Sequence, residues 1–161
     1  MITIRKSTKE DAEKIWDIFQ IVVARGDTYA FLPDISQAAA LSYWMADDKH
    51  CYVAELEGNL VGTYIIKDNQ PGLGSHIANA SFMVSPQFQG RSVGKTMGKH
   101  ALIKAKELGY AAMQFNLVIS TNIPAINLWR KLGFQIIGTI PQAFDHLQKG
   151  MVDAHIMFRE L

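Results

Sequence analysis

The sequence predicts a mixed α/β fold in which helices flank one central sheet, as a single domain over residues 1–161. Three observations predict it. Segments whose apolar residues recur every second position interleave with segments that recur every third or fourth. Their order is strand, two helices, three strands, helix, strand, helix, two strands. No linker, repeat or low-complexity tract divides the chain. With 161 residues, 48% of them hydrophobic, it is long enough to bury most of the surface that its unfolded form exposes.

Each element has its own signal. "ITIRKS" alternates and reads as a strand, and Ser7 with Glu10 offers a capping box for the helix that follows. On that helix Ala12, Ile15, Trp16, Phe19, Val22 and Val23 make one apolar face, which ends near Gly26. "DTYAFLPDIS", broken by Pro33, is a connecting loop, and Ser36 can cap a second helix through "QAAALSYWMADD". "CYVAEL", the turn "EGN" and "LVGTYIIKD" form a hairpin. After the loop "NQPGLGSH", the small and apolar run "IANASFMVS" reads as a strand buried on both faces. A helix then runs to Leu108, with Met97, Ala101, Ala105 and Leu108 as its apolar stripe and Gly109 as its stop. "AAMQFNLVIS" is a strand, and "TNIPAINLWRKLGF" is a short helix with Pro124 in its first turn. "QIIGTIP" and "VDAHIMFREL" are closing strands.

Composition narrows the function classes. The balance of 16 Lys+Arg against 15 Asp+Glu gives no general electrostatic case for nucleic acid or an anionic membrane surface. No apolar run reaches the ~20 residues that span a bilayer, and "MITIRKSTKED" does not resemble a signal peptide. The single cysteine, Cys51, excludes an internal disulfide and reads as a small buried hydrophobe in a reducing, cytoplasmic compartment. No histidine pair has metal-ligand spacing, so no metal site is expected.

The most informative stretch is "VSPQFQGRSVGKTMGKHALIKAKELG", Val84 to Gly109. A strand that leads through a glycine-rich loop into a helix presents unpaired backbone N–H groups beside the positive end of the helix dipole, which makes an anion site. Gly90 and Gly94 permit close approach of a phosphate, Arg91 and Lys95 add charge, and Ser92 adds a hydroxyl. Gly94-Lys95-Thr96 imitates the end of a P-loop, but Gln89 stands where the first glycine of that motif belongs. A solvated basic turn that merely caps a helix is the competing reading.

The run from Val84 to Lys95 resembles the acyl-CoA loop of the GNAT N-acetyltransferase superfamily. Gln89 and Gly94 match its pattern, and Ser92 stands where a glycine is usual. Asn122, Ala125, Leu128, Gly133 and Phe134 resemble the second conserved helix of that family, with Trp129 in the place of its tyrosine general acid. The resemblance implies a mixed, mostly antiparallel sheet flanked by helices, and an enzyme that moves an acetyl group from acetyl-CoA to an amine. It implies cofactor contacts at Met83, Val84, Gln89, Gly90, Arg91, Ser92, Val93, Gly94, Lys95 and Asn122. The backbone of Met83 is expected to serve the acetyl carbonyl. Homodimers are common in such a family.

The strand before the loop lacks the glutamate that many relatives use as a base. Asn79, which shares side-chain parity with Ser81 and Met83, is expected to orient the substrate or a water. A thiolate leaving group needs little acid, because a free thiol pKa is about 8.5. The resemblance also implies direct attack in a ternary complex, and the absence of a nucleophilic motif is consistent with it. The loop "GDTYAFLPDIS", with Asp27, Thr28, Tyr29 and Phe31, and the neighbouring Trp44 are candidates for the acceptor pocket; packing of Tyr29 and Trp44 against the sheet is the alternative. Asn79, Asn122, Tyr29 and Trp44 are thus the substrate candidates. "ANASFMV", "FNLVISTN" and the C-terminal segments resemble the branch acting on amino acids, proline analogues and small amine toxins. The substrate is therefore expected to be a small amine. A protein N-terminal or lysine acetyltransferase and a non-enzymatic acetyl-CoA sensor are the alternatives.

Overall fold

A computed structural model describes all 161 residues. The elements are β1 (Thr3–Lys6), α1 (Ala12–Ala24), α2 (Gln37–Trp44), β2 (His50–Leu56), β3 (Asn59–Asp68), β4 (Ile77–Val84), α3 (Val93–Glu107), β5 (Ala112–Ile119), α4 (Ile123–Lys131), β6 (Gln135–His146) and β7 (Gly150–Glu160). This is the order read from the sequence. The strands form one seven-stranded sheet in the order β1-β2-β3-β4-β5-β7-β6. Every pairing is antiparallel except β4 with β5.

Helices cover both faces, and each makes its own core. Ile15, Phe19 and Val23 of α1 pack with Trp44, Val53, Ile65 and Met83 on one face. Met97, Ala101 and Ala105 of α3 and Trp129 of α4 pack with Tyr64, Phe115 and Met157 on the other. The small residues of α3 let it lie close to the sheet. Leu108, expected on that stripe, is the residue just past the helix end and is exposed.

Two local expectations are corrected. The capping box forms one residue later than Ser7 and Glu10: the Thr8 N–H donates to Asp11 Oδ2 at 2.7 Å. Ser7 is not free to start the turn, because its N–H donates to the Cys51 carbonyl at 3.0 Å and prolongs the β1–β2 ladder. Strand β6 does not stop at Pro141 but runs to His146, and β7 begins at Gly150. The register shifts between Ile140 and Phe144, so Pro141 sits in a bulge where its missing N–H costs no ladder bond. His100 of α3 is half-buried, with Nδ1 2.5 Å from the Tyr64 hydroxyl.

Cys51 is buried as expected, with Sγ 3.8 Å from Thr63 Oγ1, and burial pushes its thiol pKa up. No helix is long and apolar enough to cross a membrane.

Arg5 grips both oxygens of Asp11 at 2.8 Å and also bonds Glu55, which ties β1, the start of α1 and β2 together. The guanidinium holds the Asp11 carboxyl down to about 2, from an ordinary 3.8. A depressed carboxylate stabilises the fold above its unfolded pKa and loses that contribution as pH falls through its folded one. Asp11→Asn is therefore expected to cost roughly 2 kcal/mol at neutral pH. In urea unfolding the gap between the two proteins should close as pH falls from 3.8 to about 2.

Candidate functional site

The site originates where two strands part. Strands β4 and β5 pair only at Ile77 with Ala112 and Ala78 with Met113. Beyond that point they diverge, and Asn79 bridges the apex by donating from Nδ2 to the Gln114 carbonyl at 3.0 Å. Its Oδ1 is left to accept.

The register of β4 on β3 decides which backbone groups face the gap. Ser85 donates to the Val61 carbonyl at 2.9 Å and Asn69 donates to that of Ile77 at 2.8 Å, so the odd-numbered residues of β4 are the hydrogen-bonded partners of β3. Met83 thus spends its N–H and C=O on Thr63, and its side chain lies in the α1/α2 core. This corrects the expectation for Met83: the groups turned to the open side belong to Ala80, Phe82 and Val84. Phe82 is already engaged, since its N–H donates to the Tyr29 hydroxyl at 3.0 Å and its carbonyl accepts from that hydroxyl.

The divergence opens a cleft of about 1300 Å³ that passes through the sheet. On the α3/α4 face it is lined by Gln89, Gly90, Ser92, Val93, Gly94, Lys95, Leu128 and Trp129. On the α1/α2 face Asp27, Thr28, Tyr29, Tyr43, Lys67 and Asn79 line it. One ligand can enter from each side and meet the other along the open edge of β4.

The α3 side is built for an anion. Gly90 and Ser92 have φ of 77° and 62°, which turns successive N–H groups inward. Ser92 makes no side-chain cap and the first turn of α3 holds no acidic residue. Thr96 is the first donor satisfied within the helix, by the Ser92 carbonyl at 2.9 Å. The N–H groups of Val93, Gly94 and Lys95 are left for a ligand, while the Val93 side chain is core. Gly94 faces α4, where an added Cβ would lie 3.4 Å from Leu128. Arg91 does not line the cleft; its guanidinium lies 5.3 Å from the centre of the Phe88 ring. Asn122 caps α4, accepting the Ala125 N–H at 3.3 Å, which leaves its Nδ2 as a donor into the cleft. Trp129 is buried against Phe82 and Phe115, with ring centroids 4.8 and 4.7 Å away.

On the α1/α2 side, burial pushes the Tyr29 hydroxyl well above its ordinary pKa. It stays neutral and serves as both donor and acceptor to Phe82. Trp44 does not reach the pocket: it is fully buried, donating from Nε1 to Thr63 Oγ1 at 3.0 Å. Its indole N–H is satisfied inside the core, where α2 lies over Thr63. His146 lines the cleft from the end of β6, while His155 bonds Thr139 outside it and His76 is exposed. Tyr43, Lys67, Asn116 and Lys149 also line the cleft. Of these only Asn116 carried a sequence signal, as a polar residue within an apolar strand.

A model of the acetyltransferase (GNAT) family matches residues 9–134. The chain belongs to the acetyltransferase (GNAT) family. It is 40% identical over 100 residues to N-acetyltransferase aca1 of Schizosaccharomyces pombe, a match covering 61% of this chain and 47% of that protein. The chain therefore spans about half the length of that relative. A GCN5-related N-acetyltransferase from Kribbella flavida superposes with a TM-score of 0.94 at 37% identity, covering 99% of this chain and 98% of that one. The Sinorhizobium meliloti phosphinothricin acetyltransferase, solved in complex with AcCoA, shares the fold at a TM-score of 0.88 and 21% identity, over 99% of this chain and 88% of that one.

The residues fit the cofactor. Two bridged phosphates match the N–H groups at the start of α3, and the unpaired edge of β4 matches an amide-bearing arm. The non-glycine at position 92 carries backbone strain. Ser92→Gly is expected to raise stability by up to about 1 kcal/mol. Acetyl-CoA affinity should stay within about threefold, because the backbone N–H groups remain. Thermal unfolding and calorimetric titration check the two halves.

Proposed function

We propose that this GNAT enzyme acetylates the amine of a small molecule, an amino acid or amino-acid analogue, by direct attack in a ternary complex. The observation that carries this reading is the closure of the acceptor end. Leu147, in the turn between β6 and β7, donates to the Gly26 carbonyl at 3.1 Å, and Gln148 Nε2 donates to that of Arg25 at 3.3 Å. This turn is thus tied to the end of α1, just before the Asp27–Phe31 loop, and Gln148, Lys149 and that loop line the same end of the cleft. Phe31 and Tyr43, with ring centroids 5.2 Å apart, close the aromatic wall. A peptide would need an open groove, and here the β6–β7 turn is bonded to the end of α1 beside the aromatic loop.

Acetyl-CoA supplies an activated acetyl thioester. The N–H groups of Val93, Gly94 and Lys95 hold its phosphates, and the open edge of β4 aligns its arm. Asn79 presents Oδ1 at the apex, where it orients the acceptor or a water. Asn122 offers an amide N–H that suits a carboxylate on the acceptor. Cys51 is buried in the α1/α2 core and is not among the residues lining the cleft, which fits transfer without an acyl-enzyme. Its burial also fits a cytoplasmic setting.

The test is thiol release from acetyl-CoA against amino acids, proline analogues, polyamines and peptide N-termini. A small amine should be the best acceptor, with its rate rising with pH towards an amine pKa of about 8. Asn79→Ala should lower kcat/KM by at least tenfold with acetyl-CoA binding retained. Preferential acetylation of peptides, or binding of acetyl-CoA with no acceptor, would reject the proposal.

A further inference from the structure

The protein has two buried side-chain polar atoms without a hydrogen-bond partner, and they belong to adjacent residues: Asp27 Oδ1 and Thr28 Oγ1. Both residues line the cleft on its α1/α2 side. A buried carboxylate oxygen without a donor is costly, and such an atom marks a place where a ligand completes the bonding.

Charge and position point to the same ligand. Asp27 is the only carboxylate lining a cleft whose other charged residues are Arg25, Lys67, Lys95 and Lys149. A cationic ligand therefore has one favourable seat. Arg25 lies 3.2 Å from Asp27 Oδ2, which fixes the carboxylate and leaves Oδ1 free. Tyr29, the next residue after this pair, bonds the backbone of Phe82 and so pins the loop to the open edge of β4. The two free oxygens and the edge along which the acetyl arm lies thus belong to one compartment.

We infer that Asp27 Oδ1 and Thr28 Oγ1 form the receptor for the acceptor's amino group, and that they select a primary or secondary alkylammonium ion. This rests on the small-amine reading above. Both oxygens accept, so they take N–H donors from the amine. One ammonium proton leaves to water in the cleft, and the neutral amine keeps its remaining N–H on these oxygens with its lone pair turned away. The arrangement supplies on the α1 loop the carboxylate that β4 lacks.

The experiment is steady-state kinetics of the full chain with the best amine from the acceptor panel. Asp27→Asn should raise the acceptor KM roughly 10- to 100-fold, the range of a lost charge-assisted hydrogen bond. The KM for acetyl-CoA should stay within about twofold. Thr28→Val should raise the acceptor KM by a smaller factor, and Asp27→Glu should recover part of the loss. A carboxylate partner raises the pKa of a bound amine, so the rising limb of kcat against pH should move to lower pH in Asp27→Asn. Arg25, Lys67 and Lys149 are common to both proteins. Inhibition by trimethylammonium ion against uncharged tert-butanol gives a readout that a purely structural role would not move. The wild type should prefer the cation, and Asp27→Asn should lose that preference. An unchanged acceptor KM in Asp27→Asn, or a raised KM with the preference intact, would overturn the inference while leaving the small-amine reading in place. A wild type that acetylates no small amine would overturn the reading itself.

Discussion

The structure depends on the parallel pairing of β4 and β5 ending after two residue pairs. A parallel ladder that continued would seal the sheet and satisfy the backbone of Ala80, Phe82 and Val84. Its early end exposes those groups in the middle of the domain, where unpaired backbone is normally excluded. Asn79 makes this tolerable by tying the apex to Gln114, and Tyr29 does so by occupying the N–H and C=O of Phe82. The gap also joins the two faces of the sheet, so a ligand held by α3 and one held by the α1 loop share a single space.

The anion site depends on the same gap. Helix α3 begins at the end of β4, and the intervening loop uses left-handed backbone at Gly90 and Ser92 to turn its N–H groups inward. An ordinary surface helix would spend a Ser, Asp or Asn on capping them. Here the local preference is left unfulfilled, and the dipole and the basic Lys95 together favour a charged ligand. The indole N–H of Trp129 is too weak an acid to replace the tyrosine it resembles by position. Its place between Phe82 and Phe115 makes it part of the wall that supports β4.

How much was legible in the sequence follows from the range of each interaction. The α3 loop and the Asn122 cap are local, encoded by residues a few positions apart, and the chain spells them out. Trp44 was misplaced because its burial depends on α2 lying over Thr63, a contact across 19 residues of sequence. Met83 was given the wrong backbone role for a subtler reason. Side-chain parity along β4 is visible in the sequence, but which residues spend their amides on β3 depends on a register fixed by both strands. The α1 loop, with Asp27 and Thr28 in it, was read as part of the acceptor pocket. The bonding deficit of Asp27 and Thr28 emerges only once the surrounding donors are in place.

Cys51 bears on how this protein can be observed. Its thiol sits beside Thr63 under α1 and α2, with burial favouring the protonated form, so it is poorly suited to attack an electrophile while the sheet is intact. A thiol-reactive dye added to a working sample would therefore report released coenzyme alone. The same dye added during urea exposure would be consumed by Cys51 as the molecule opens. The chain thus carries a native reporter of its own unfolding rate, with one thiol per molecule and no label introduced.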